Sequence, residues 1–263
     1  MTPNSPVSSQ AGSPNSNQVS DAVSTAVAAQ RLAAIEQRIQ QACDKAGRKR
    51  SEVQLLAVSK TFPLEAVVDM AAAGQTRFGE NYLQESIDKI TQLAASPNQA
   101  GLQTPLEWHF IGPIQSNKTR PIAEHFDWVH SVDRLKIAQR LSEQRPDNLS
   151  PLNVLIQVNT SGEDSKSGVQ PTQVEELAQA IHDMPRIQLR GLMTIPSNTE
   201  DLGKLRGEFL LCAELLKKLQ DALPSGNTQL DTLSMGMSSD LELAIECGST
   251  CVRVGTALFG QRT

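Results

Sequence analysis

Val154-Leu155-Ile156-Gln157-Val158 carries apolar side chains at four of five successive positions. A strand with one face in water alternates apolar and polar residues. A nearly unbroken run therefore marks a strand covered on both faces, as in a parallel sheet packed beneath helices. Runs of this kind recur along the chain, and strands are expected over residues 53–60, 77–80, 107–112, 128–132, 153–160, 188–195, 232–237 and 251–259. Helical patterns separate them. In the clearest, over 201–223, Leu202, Leu205, Phe209, Cys212, Leu216, Leu219 and Leu223 fall at alternating steps of 3 and 4. Eight such units in 263 residues close naturally into a single (β/α)8 TIM barrel, an α/β fold. The open doubly wound sheet is the alternative, but its GxGxxG fingerprint is missing after the first strand.

Upstream of the first strand, Ala28, Leu32, Ile35, Ile39 and Cys43 recur at spacings of 4, 3, 4 and 4. They predict an extra N-terminal helix over 22–46 that packs on the barrel. Residues 1–20 are rich in Ser, Asn, Gln and Pro and contain no charged residue. The stretch 1–21 is therefore expected to be a disordered N-terminal tail, followed by one domain over 22–263.

A net charge of −5 offers no general attraction for a polyanion, which argues against nucleic acid. No apolar stretch approaches the roughly 20 residues that cross a bilayer, and the N-terminus lacks the basic and apolar regions of a leader. The protein is expected to be cytoplasmic. Cys43, Cys212, Cys247 and Cys251 form no CxxC pair, which fits a reducing compartment. Cys247 and Cys251 have only distant histidines and are read as packed thiols. With no Walker, EF-hand or HExxH pattern in the chain, no metal is implied.

In a barrel of this class, chemistry comes from the C-terminal ends of the strands. The first strand ends in Ser59-Lys60, and a lysine there enters the barrel mouth, where desolvation frees its amine for a carbonyl; the other reading is a side chain snorkelling to solvent. Ser234, Met235, Gly255 and Thr256 lie around strands seven and eight, where barrels commonly hold a phosphate. Glycines relieving crowding and hydroxyls capping helices would look the same. In Val252-Arg253-Val254 alternation turns the arginine opposite to the valines and into the barrel, where it requires an acceptor. A ligand would supply one, as would an ion pair with Glu80 or Glu246. Ser86-Ile87-Asp88-Lys89 fits the SxxK pattern of serine acyl-transferases, but it lies in a charged helical stretch and has no KTG partner.

Several further motifs occur in a fixed order: Leu56-Ala57-Val58-Ser59-Lys60, Phe78-Gly79-Glu80-Asn81-Tyr82, Trp108-His109-Phe110-Ile111-Gly112-Pro113, Ser165-Lys166-Ser167-Gly168, Ser234-Met235-Gly236-Met237-Ser238 and Arg253-Val254-Gly255-Thr256. This set resembles the pyridoxal phosphate homeostasis protein family, which is related in fold to the N-terminal domain of alanine racemases. The resemblance implies that Lys60 holds pyridoxal 5′-phosphate (PLP) as an aldimine. It also implies that Ser234, Gly255 and Thr256 surround the phosphate, that Met235 is a further cofactor-binding residue, and that Arg253 faces the pyridine nitrogen. Asn81, His109 and Lys166 match motif positions near the mouth, and His109 has a second reading as a buried strand histidine.

An arginine facing the ring nitrogen makes the cofactor a weak electron sink, suited to carriage or racemase-like chemistry. Racemisation needs acid/base groups on both faces of the substrate. The racemases of this fold supply one from a further C-terminal domain, whereas this chain ends shortly after the eighth strand. Tyr82, the only tyrosine, is read as a helix-packing residue. The expected function is storage, buffering or delivery of PLP by a monomer, without enzymatic turnover, with PLP-dependent apo-enzymes or a regulatory protein as partners. The alternatives are a weakly active PLP-dependent racemase-type enzyme and a lysine Schiff-base aldolase.

Overall fold

Eight parallel strands close into one barrel in sequence order: β1 (Gln54–Val58), β2 (Arg77–Glu80), β3 (Glu107–Phe110), β4 (Trp128–Val132), β5 (Leu152–Val158), β6 (Ile187–Thr194), β7 (Thr232–Ser234) and β8 (Cys251–Val254). The computed structural model describes residues 16–95, 105–163, 166–223 and 229–261, with side chains from residue 24. Between and beyond the strands lie α1 (Ser16–Lys45), α2 (Leu64–Ala72), α3 (Leu83–Ala95), α4 (Thr119–His125), α5 (Leu135–Gln144), α6 (Val174–His182), α7 (Leu202–Ala222), α8 (Leu241–Glu246) and α9 (Thr256–Phe259).

All eight expected strands form, but most stop earlier than the apolar pattern suggests. The ladder of β7 ends at Ser234 rather than at 237, and that of β8 at Val254 rather than at 259, with Thr256–Phe259 turning into a helix. The cause is that apolar residues continue past the ladder: Ile111, Ile195 and Met237 line a cavity at the mouth. The pattern records burial, not hydrogen bonding. Alternation divides the strand residues as expected. Val154, Ile156 and Val158 of β5 belong to the layer between strands and helices, whereas Leu155 packs inside the barrel with Trp128 and Met193.

One backbone position lets β6 lie close against β7. Gly191 has φ of 147°, and a Cβ there would lie 1.9 Å from the carbonyl oxygen of Thr232 on β7. It sits beside the register shift between Val154 and Leu155 of β5, so β6 is bent onto both neighbours where only glycine fits.

The N-terminal helix is longer than expected. It starts at Ser16, where the Pro- and Gly-containing part of the tail ends, so residues 16–21 are helical; residues 1–15 of the expected tail lie outside the described residues. Its stripe behaves as the spacing predicts: Ala28, Ile35, Ile39 and Cys43 are buried and Leu32 is partly so. The helix packs on α2, α8 and α9, across the seam where β1 meets β8. Arg38 forms a two-pronged pair with Glu242 at 2.8 and 3.0 Å, and Arg31 donates to the Leu258 carbonyl. Next to α8, α7 begins with Asp201 accepting from the Gly203 and Lys204 amides, as an N-cap should.

Candidate functional site

Closure places β8 between β1 and β7, so residues from the two ends of the chain share one rim. A cavity of about 310 Å³ opens there, within the size range of small-ligand sites. Lys60, Asn81, Arg253, Gly255 and Thr256 line it, all five expected from the sequence. Apolar walls come from Val58, Ile111 and Met193, and the loop after β7 contributes Met237, Ser238 and Ser239. Lys60 and Arg253 are the only titratable side chains on this wall among the described residues.

Arg253 is buried, 5% exposed, and its acceptors are all uncharged. One terminal nitrogen donates to the Ser234 carbonyl and hydroxyl, both at 2.8 Å, and the other to the Thr194 carbonyl at 2.9 Å. Neither acid considered from the sequence pairs with it. Glu80 faces outward to Lys89, and Glu246 pairs with Lys45 and Arg206 on the surface. Among the described residues no carboxylate lies within ion-pair distance of Arg253. Burial works against its charge, pushing its pKa down, but a guanidinium stays protonated. The result is an enclosed cation with donors to spare on the wall of a cavity.

A polar column supports Arg253 from inside the barrel. The Ser234 hydroxyl lies 3.0 Å from His130 Nδ1, His130 Nε2 lies 2.9 Å from His109 Nδ1, and His109 Nε2 lies 2.8 Å from Glu107. His109 also stacks on Trp128 at 5.4 Å. Burial pushes both histidines below their ordinary range, His130 furthest. The Glu107 carboxyl is pushed up by burial, but the His109 contact and Arg77 outweigh this and hold it well below the usual carboxylate range. With Glu107 ionised and both imidazoles neutral, one polarity satisfies the column: Ser234 donates to His130, His130 to His109, and His109 to Glu107. The lone pairs of Ser234 are then left for Arg253.

This geometry redistributes three of the expected site residues. His109 lies deeper in the barrel and does not reach the cavity wall, because β3 ends one residue later and Ile111 takes the place at the mouth. Ser234 sits beneath Arg253 as its acceptor. Met235 is fully buried in the layer between strands and helices, since alternation turns it away from the barrel interior. The hydroxyls facing the cavity after β7 belong to Ser238 and Ser239. The signal for them was the motif ending in Ser238: ligand-facing groups come after a strand, and β7 stops at Ser234.

Asn81 lines the cavity with a buried Oδ1 that has no hydrogen-bond partner. Its backbone is held close to Gly112, where a Cβ would come within 2.3 Å of the Asn81 carbonyl oxygen. Lys166 lines a neighbouring cavity of about 660 Å³, where its amine donates to the Pro196 carbonyl at 2.7 Å. Tyr82 does not pack: it is 54% exposed. All four cysteines are buried and unpaired.

The donor set fits a ligand that combines a carbonyl, a ring acceptor and an anionic group: an amine, an enclosed guanidinium, and hydroxyls from two adjacent loops. The comparisons point the same way. The family model described as "Alanine racemase, N-terminal domain" matches residues 30–263. A curated relative from Vibrio cholerae, named pyridoxal phosphate homeostasis protein, is 57% identical over 233 residues, covering 89% of this chain and 95% of its own length. A crystal structure described as an unknown protein from Bifidobacterium adolescentis superposes with a TM-score of 0.83 at 34% identity, over 90% of this chain and 96% of that one. PipY of Synechococcus elongatus, solved with PLP bound, gives a TM-score of 0.75 at 35% identity, over 89% of this chain and all of its own. A chain with this barrel, this rim and these relatives belongs to the pyridoxal phosphate homeostasis protein family, built on the alanine racemase N-terminal domain.

Proposed function

We propose that this chain binds PLP at the mouth of the barrel and serves in its homeostasis, holding the cofactor and handing it to cytoplasmic apo-enzymes. The observation that carries the reading is Arg253, a buried cation without a carboxylate partner, on the same cavity wall as Lys60. Lys60 would hold the cofactor aldehyde and Arg253 its ring nitrogen. Ser238, Ser239, Gly255 and Thr256 would surround its phosphate. When bound, the group supplies a carbonyl that condenses with amines. The chain supplies binding and orientation. Four unpaired, buried thiols support a reducing compartment.

Carriage is favoured over racemisation because the wall offers only Lys60 and Arg253 as titratable side chains among the described residues. Racemisation requires a proton donor and a proton acceptor on opposite faces, and a guanidinium gives up its proton too reluctantly to be either. Absorbance titration with PLP tests the proposal. The expected result is a visible band that saturates with one equivalent and is absent from Lys60→Ala at unchanged thermal stability. A Lys60→Ala variant that keeps the band would move the attachment to another lysine.

A further inference from the structure

Lys89, the lysine of the SxxK-like stretch, is a buried residue on α3 whose three donors are all used. Its amine donates to the Ser59 carbonyl at 2.9 Å, to Glu80 at 2.8 Å and to Glu85 at 2.7 Å. Glu85 in turn accepts from the Thr61 backbone amide at 2.6 Å. These contacts bracket one residue. The Ser59 carbonyl belongs to the peptide group before Lys60, and the Thr61 amide to the peptide group after it.

We propose that Glu85 and Lys89 are positioning residues for Lys60, clamping the peptide groups on either side of it and so fixing where its amine stands in the cavity. The inference rests on the reading of Lys60 as the cofactor lysine. Three observations support it. Thr61 has φ of 67°, a left-handed conformation that a β-branched residue avoids unless its surroundings enforce it. The turn is tied on every side: the Ser59 hydroxyl donates to Glu80 at 2.7 Å, the Phe62 amide to the Ser59 carbonyl at 3.1 Å, and Phe62 stacks on Phe259 of α9 at 5.1 Å. Finally, a Glu85–Lys89 pair serving only its own helix would lie in solvent. Here the lysine side chain is 6% exposed and reaches across to the end of β1.

The clamp acts through the backbone, so its test reads the backbone and the Lys60 amine separately. Glu85 is the residue to change, because it is partly exposed and Lys89 keeps Glu80 and the Ser59 carbonyl without it. In ligand-free Glu85→Ala, hydrogen exchange at the Thr61 amide is expected to rise about tenfold or more, the equilibrium worth of one charge-assisted hydrogen bond. Borohydride trapping of PLP on Lys60 is expected to slow by a similar factor. Adding Thr61→Gly, which adopts positive φ without strain, should return the trapping rate towards that of the parent while the amide stays fast. Parent-like trapping in Glu85→Ala, or no recovery in the double variant, would overturn the clamp. A parent protein that never traps PLP on Lys60 would instead overturn the proposed function.

Discussion

Arg253 and the column beneath it concentrate the cost of this barrel in a few side chains. Two neutral histidines, a serine and a guanidinium occupy an interior that barrels usually fill with branched apolar residues. Such groups persist inside a protein when their hydrogen bonds are complete, and the column leaves each imidazole nitrogen with a partner. It also predicts a pH dependence. Burial depresses His130 and His109 below their unfolded range, so the unfolded chain takes up protons first as pH falls below about 6.5, and stability drops with it. The slope is at most about 1.4 kcal/mol per pH unit for each histidine. Glu80, Asp127 and Asp240 are raised, chiefly by burial, and act in the opposite sense at lower pH. Urea denaturation at pH 7 and pH 5 should therefore show a smaller loss of stability in His130→Gln than in the parent. Equal losses would mean that His130 does not stay neutral in the folded state.

At the scale of elements, β6 depends on Gly191. Gly191→Ala sets a Cβ against the Thr232 carbonyl in a left-handed conformation, and should cost about 3–5 kcal/mol or prevent folding. A thermal melt within a few degrees of the parent would contradict the bend between β5 and β7. The strands, their order and α1 were legible because each records its burial in its own periodicity. Lys60 and Arg253 were legible for the same reason, one following an apolar run and one interrupting it. Ser234 lies below the cavity wall because apolarity does not mark where a ladder stops, and Met235 lies outside the barrel because alternation turns it to the helices. The column and the clamp could not be read at all. Each joins side chains from different strands or from a strand and a helix, as with His109 and His130, and no local pattern encodes that pairing.

For the whole molecule, the decisive event is closure of β8 onto β1, which brings Lys60 and Arg253 to one cavity, with α1 lying over the same seam. No described helix is long and apolar enough to cross a membrane. The exposed surface is crossed by ion pairs such as Lys217–Asp221 and Arg186–Asp147, which contribute little to stability individually. The barrel thus presents a concave, cationic place where β1 meets β8 at its C-terminal face, and the proposed function stands on what that place holds. The most direct test is borohydride reduction of the protein supplied with PLP, followed by peptide mass mapping. A single pyridoxyl-phosphate adduct is expected, on the peptide containing Lys60. An adduct on a different lysine, or none, would contradict it.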